Sequence, residues 1–309
     1  MIHVIDVQSR ATIQDLGRFG LRRFGISQCG AMDKLALRAG NILLENAEGA
    51  PAIEVPLGGI TLQFQQDMNF CVTGAFYEMT LDDKPVFAYW RYQARAGQVL
   101  KMIRAKIGMY GYLCVQGGFT LPQELNSCST DLRAQIGGIE GRGLQVGDQL
   151  QTVNDPILRS EIGIAPIPLK HTIHALPSSE YQAFKRKSQY YWWRSKWTLQ
   201  SSSDRMGYRF QGQKLELKQP LEMLSHAIQF GSVQVPPSGQ PIILMADAQT
   251  TGGYPKIANV IDADLGALAQ VRLGSTIQFE AVSLEQAAKL RRKNEIYLDQ
   301  IRRIVDEKN

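Results

Sequence analysis

Residues 273 to 280 read LGSTIQFE. A glycine opens the stretch, and Ile277 and Phe279 then alternate with polar residues, which is the period of a strand with one buried face. The glycine supplies the backbone freedom a turn needs before the strand begins. The same unit recurs as AGQVLKMI (96 to 103) and VGDQLQTV (146 to 153), with LGGITLQF (57 to 64) a looser relative. Repeated units of turn then alternating strand argue for antiparallel sheets closing into barrels, so the chain reads as mainly β.

Helices are few. MDKLALRAGNILLEN (32 to 46) carries Leu35, Ala39, Ile42 and Leu43 on one helical face, with Asp33 as N-cap. The tail from Ser283 opens with a Ser-x-x-Gln capping box and places Leu284, Ala288, Tyr297, Ile301 and Ile304 at helical spacing, predicting a C-terminal helix that packs or meets a partner. At 309 residues the chain is long enough for two domains of roughly 100–200 residues each. NDPILRSEIGIAPIPLKH (154 to 171), with three prolines, reads as the crossing segment, and a cut at about 160 divides the chain into 1–160 and 161–309.

Apolar content of 44% with 20% charged residues suits a soluble globular protein. No run approaches the roughly 18 apolar residues that would span a bilayer, and MIHVIDVQSR lacks the features of a secretory leader, so a cytoplasmic location is expected. Cys29, Cys71, Cys114 and Cys128 form no C-x-x-C pair, and His171 and His174 have no acidic or thiol neighbour in sequence, so no metal site is expected. The net charge of +5 is mild. Its excess in KRKSQYYWWRSK (185 to 196) and KLRRK (289 to 293) reads as solvated charge around a buried aromatic cluster, not as a nucleic-acid surface.

Three stretches could carry chemistry. TIQDLGRFGLRRFGISQCGAMD (12 to 33) concentrates glycines with Asp15, Arg18, Arg22, Arg23 and Asp33, without matching a phosphate-loop or dinucleotide fingerprint. Either its arginines and amides meet an anion, or Arg18 and Asp15 pair to hold the loop. SSSDRMGYRFQG (201 to 212) presents Asp204 beside Arg205, which extended backbone would send to opposite faces. GSVQVPPSGQPIILMADAQTTGGYPKIA (231 to 258) reads as a buried strand, 241 to 245, delivering Asp247, Gln249, Thr250 and Thr251 to a surface. Gly252 and Gly253 then allow a tight turn and Pro255 holds Tyr254 extended. A structural turn is the competing reading.

QDLGR with GAMD, STDLRAQIGG with GRGLQVGD (129 to 148), SDRMGYR, and QVPPSGQPIILMADAQTTGGYPKIA with DADL together resemble the allophanate hydrolase subunit 2 family, whose members include KipA and the C subunit of 5-oxoprolinase. The likeness spans roughly residues 1 to 280 and weakens from 155 to 200 and in the tail. In NSCST (126 to 130) this chain has Cys128 where the family usually carries an arginine. The resemblance implies tandem cyclophilin-like β-barrels, and no prolyl isomerase activity follows from that shape.

The resemblance also implies three candidate functions. In bacterial 5-oxoprolinase, the B and C subunits use ATP with Mg²⁺ to activate the lactam carbonyl of 5-oxoproline, and the A subunit opens the ring to glutamate. The partners would then be a subunit-B-like protein of the KipI and allophanate hydrolase subunit 1 family and a subunit-A-like protein. The alternatives are the carboxyltransferase part of a biotin-dependent urea carboxylase and a KipA-like regulator that binds a kinase inhibitor. Amide resonance makes a lactam unreactive, and phosphorylating its oxygen would relieve that if cations or N–H groups stabilise the transferring charge. Arg18 and Arg205 are the candidates for that clamp. Asp33, Asp204 and Asp247 would orient substrate or metal, and Gln249, Thr250, Tyr254 and the amides of Gly252 and Gly253 would bind the small amide. Lys101, in VLKM, is the sole approximation to a biotin-carrying lysine and lies inside an ordinary glycine-strand unit. Carboxyl transfer would need a carrier elsewhere, which favours the 5-oxoprolinase reading.

Overall fold

The computed structural model describes residues 1–153, 156–158 and 161–308; the expected cut near residue 160 falls outside them. Contacts divide the chain into two units. One comprises Met1–Arg18, Cys29–Pro168 and Glu295–Asn309, the other Phe19–Gln28 and Leu169–Asn294.

The first unit is a curled nine-stranded antiparallel sheet. Its path runs through Thr12–Gln14, Ala52–Pro56, Val99–Val115, Ile60–Phe64, Ile2–Val7 and Gln149–Leu150, and Met68–Leu81 lies along Val99–Val115. Alternation along these strands puts Ile2, Val4, Leu62, Phe64 and Phe70 on one buried face. Helix α1, Lys34–Leu43, covers part of the sheet with Asp33 as its N-cap. A Cβ at Gly40 would lie 2.8 Å from Cys114 Sγ, so α1 sits on the sheet at glycine distance.

The second unit closes into a seven-stranded barrel: Thr172–Pro177, Lys256–Val260, Ser232–Gln234, Ile242–Leu244, Gly207–Gln211, Trp197–Leu199 and Thr276–Ala281. Every junction is antiparallel except the closing one, where the first and last strands run side by side in the same direction. Helix α2, Arg186–Arg194, carries the aromatic run. Trp192 stacks on Phe279 with ring centroids 4.2 Å apart, and Trp197 and Phe210 complete a buried cluster. The lysines and arginines of 185 to 196 lie around that cluster.

The glycine-strand units are what they were read to be. Gly97, Gly147 and Gly274 have φ of 88°, 93° and 81° with open space where a Cβ would go, so conformation alone selects glycine, and a strand follows each. After the short helix α3, Asp262–Ala269, the tail forms helix α4, Leu284–Lys308, with the expected capping box: Ser283 N donates to Gln286 Oε1 at 2.7 Å and Gln286 N to Ser283 Oγ at 3.2 Å. Its buried stripe is shifted from the expected one. Leu298, Ile301 and Val305 are buried, whereas Leu284 and Ala288 are exposed, because packing begins only at the distal half. There Arg38 grips Glu295 through two bonds of 2.7 and 2.8 Å, and Arg302 pairs with Glu48. No helix among the described residues is long and apolar enough to cross a membrane.

Candidate functional site

The sequence motifs assemble into two clusters, one in each unit. In the first unit, QDLGR, GAMD and STDLRAQIGG meet around Arg18. A Cβ on Gly30 would lie 2.8 Å from Leu16 and Gly17 backbone, and one on Gly137, whose φ is 70°, would fall 2.3 Å from Arg18 Nη2. Arg18 is completely buried. Its Nη2 donates to Ser129 O at 2.6 Å and its Nε to Glu124 O at 3.2 Å, while Nη1 is buried without a partner among the described residues.

Asp15 is not the ion partner that the loop reading allowed. Its Oδ1 accepts from Gly17 N, Ser127 Oγ and Ser129 Oγ, and its Oδ2 from Cys128 N at 2.6 Å. The Asp15 carboxylate thus shapes the 127–129 turn. The Cys128 thiol beside it is pushed up to about 11, first by burial and then by the Asp15 charge, against the opposing pull of Arg18. Asp33 is spent locally as well. Its Oδ1 accepts from Ala36 N at 3.1 Å as a helix cap, and its N–H donates to Tyr112 Oη at 2.7 Å. Tyr112 in turn donates to the buried Glu54 at 2.8 Å. Burial, then the charges of Glu54 and Asp33, push the Tyr112 hydroxyl well up.

In the second unit SDRMGYR meets ADAQTTGGYPKIA. The adjacent side chains of 204 and 205 do separate. Asp204 is exposed and accepts from Met206 N and Gly207 N at 2.9 and 3.2 Å, making its own turn. Arg205 forms a bidentate pair with Asp247, Nε to Oδ2 at 2.8 Å and Nη2 to Oδ1 at 2.7 Å. Asp247 N also donates to Arg205 O at 2.9 Å, so both backbone and side chain clamp the start of the segment. Each charge therefore neutralises the other.

Beyond Asp247 the geometry departs from the expected glycine turn. Thr251–Gly252 is a short strand paired with His226–Ala227, and neither Gly252 nor Gly253 has a positive φ. Gly252 sits at close approach instead: a Cβ there would lie 2.5 Å from Gln234 Nε2 and 3.1 Å from Ile228 Cδ1, so these two buried side-chain ends would have to shift. Gly253 has ordinary space, its Cβ meeting nothing closer than 3.5 Å. Gln249 and Thr250 are half-buried, and Tyr254 is exposed. Lys256 fastens the exit: its N–H donates to Glu180 Oε2 at 3.1 Å and its Nζ to His226 Nε2 at 2.6 Å.

Two further residues belong to this cluster: Arg22, named in the sequence only among the loop arginines that could meet an anion, and Gln234, not singled out there. Arg22, from Phe19–Gln28, donates through Nη2 to Ile228 O and to Gln249 O. Gln234 Nε2 is buried against Gly252 without a partner among the described residues. Both lay inside quoted motifs, but no local pattern set them apart from their neighbours. Elsewhere, His174 Nδ1 lies 2.6 Å from the buried Asp264 Oδ2, and Lys170 Nζ 2.8 Å from Oδ1. No group of three His, Cys, Asp or Glu among the described residues could hold a metal ion.

With this fold and these clusters, the chain belongs to the carboxyltransferase domain family, subdomain A and B, whose family model matches residues 24–281. Within that class it is 91% identical over 309 residues to the C subunit of 5-oxoprolinase from Haemophilus influenzae, covering all of both chains. It is 47% identical to the corresponding 5-oxoprolinase C subunit of Escherichia coli over 97% of each chain. The resemblance read from the motifs therefore holds. The crystal structure of the K. lactis urea amidolyase superposes with a TM-score of 0.90 at 26% identity over 97% of this chain, which spans 20% of that longer protein.

Proposed function

We propose that this chain is the C subunit of an ATP-dependent 5-oxoprolinase, acting with a subunit-B-like partner on the lactam that a subunit-A-like protein then opens to glutamate. The observation that carries this is the 91% identity to the 5-oxoprolinase C subunit of Haemophilus influenzae over the full length of both chains. A name of that kind goes with a multi-subunit assembly.

The chemistry of the site supports a binding and positioning share of the work. Residues 246–255 offer a half-buried amide and hydroxyl, Gln249 and Thr250, on a segment braced at both ends by Arg205–Asp247 and by Lys256 with His226 and Glu180. Such bracing holds ligand-facing groups in place before the ligand arrives, so less entropy is lost on binding. The donor set does not suit Mg²⁺ with ATP. The carboxylates of Asp15, Asp33 and Asp247 are each engaged by protein donors, and no three metal-ligating groups gather among the described residues. Nucleotide contacts are therefore assigned to the partner, and this chain to recognition of the small amide.

Purified alone, the chain should release negligible phosphate from ATP in the presence of 5-oxoproline, and with its subunit-B-like partner it should release phosphate in response to 5-oxoproline. Full 5-oxoproline-stimulated release from the single chain would overturn the divided site. The fold similarity to the K. lactis urea carboxylase, TM-score 0.90, favours carboxyl transfer as a second reading. Lys101 gives it no carrier, since it lies within a strand, paired with Asp83 at 3.0 Å. Bicarbonate- and biotin-carrier-dependent turnover in the reconstituted complex would favour it over lactam opening.

A further inference from the structure

Beside residues 246–255, the positive charge open to a ligand does not belong to Arg205, which Asp247 neutralises in a bidentate pair. It belongs to Arg22. Among the described residues Arg22 has two partners, the backbone carbonyls of Ile228 and Gln249, the latter at 3.4 Å, and no carboxylate. Both contacts come from Nη2 alone. A guanidinium has five N–H donors, so most of the fork and the whole charge are left over. Burial pushes the Arg22 pKa down, the direction expected of a cation that is partly desolvated without a counter-charge.

The position of this charge is specific. Gln249 O ties Arg22 to the segment that carries Gln249 and Thr250, and Ile228 N donates to Thr250 O at 3.1 Å. The guanidinium is therefore held on the backbone of a segment whose Gln249 and Thr250 are half-buried and make no side-chain hydrogen bond among the described residues. A cation without a carboxylate partner, fixed on a segment that also carries two neutral donors, suits a small oxyanion. We propose that Arg22 receives the carboxylate of a small acid bound at residues 246–255, with Gln249 and Thr250 meeting the polar groups next to it. The lactam reading supplies the identity of that acid, 5-oxoproline, while the charge argument stands without it.

The test uses the full chain with isotope-labelled arginine, the Arg22 guanidinium signal being assigned by its loss in Arg22→Lys. Acetate, inorganic phosphate, 5-oxoproline and its uncharged analogue 2-pyrrolidinone are titrated in turn. Acetate and 5-oxoproline should move the Arg22 signal saturably and 2-pyrrolidinone should not. Arg22→Gln should weaken 5-oxoproline binding about tenfold to a hundredfold, the share of a charge-assisted hydrogen bond. Arg22→Lys should keep part of the affinity, which separates charge from loop packing.

An Arg22 signal that no carboxylate moves would overturn the inference, as would one that phosphate moves and carboxylates do not, or 5-oxoproline binding unchanged in Arg22→Gln. Saturable acetate binding without preference for 5-oxoproline would uphold Arg22 as a carboxylate site and count against the lactam reading. If Arg22→Gln fails to fold, the wild-type titrations and Arg22→Lys still decide.

Discussion

Replacing Asp247 by Asn would test whether the Arg205–Asp247 pair is the strut that holds residues 246–255. The two bonds measure 2.8 and 2.7 Å, and the side chains are only 13% and 14% exposed. A solvent-exposed pair would contribute at most about 1 kcal/mol. Removing one member of a buried pair costs about 3–5 kcal/mol, because the surviving charge stays desolvated without its counter-charge. At this burial the second regime applies, with a small discount for solvent access, and Asp247→Asn should lower unfolding free energy by about 3 kcal/mol. Arg205→Met should cost a similar amount. The double variant should cost far less than the sum, with a coupling of about 2 kcal/mol or more, since neither charge is then stranded. Urea unfolding of all four proteins measures this, provided the denaturant slope is shared. A loss below about 1 kcal/mol in either single variant, or additive losses in the double, would show that the pair braces nothing.

Three further outcomes are expected. Gly252→Ala should destabilise by about 1–3 kcal/mol, since its Cβ would press on Gln234 and Ile228, whereas Gly253→Ala should stay within about 0.5 kcal/mol; equal melting temperatures for the two would refute the close-approach assignment. Gly274→Ala should cost about 1–2 kcal/mol from its φ of 81° alone, there being nothing nearby to clash with, and an unchanged urea midpoint would contradict that. Burial pushes the Glu48 carboxyl up, but hydrogen bonds and charge from Arg38 and Arg302 outweigh it and hold the group below its usual value of 4.5. A depressed folded-state pKa stabilises the fold above that value and is lost as pH falls through the folded pKa, so Glu48→Gln should flatten the acid side of the stability profile below about pH 4.5 while lowering stability at neutral pH.

The part of the structure governed by neighbours a few residues apart was legible before any folding. Glycine followed by period-two alternation located the strands after Gly97, Gly147 and Gly274, because a positive φ and a pleat are properties of short segments. The Ser283–Gln286 box and the Asp33 cap were legible for the same reason, each being closed within three residues. The motif resemblance reached the family, and with it the mainly β architecture.

Tertiary structure decided which charges are left for a ligand. Arg205 reads as a free clamp until Asp247, 42 residues on, neutralises it. Arg22 reads as one arginine among several until it reaches Gln249, 227 residues away, and has no counter-ion among the described residues. Arg18 looks like a surface cation, yet the fold buries it against the carbonyls of Glu124 and Ser129. Gly252 reads as a turn residue and is a contact residue, because a side chain there would press on the buried ends of Gln234 and Ile228. Coulombic pairing and steric exclusion depend on distance in space, and local propensity carries no information about which distant residue the fold will bring within 3 Å.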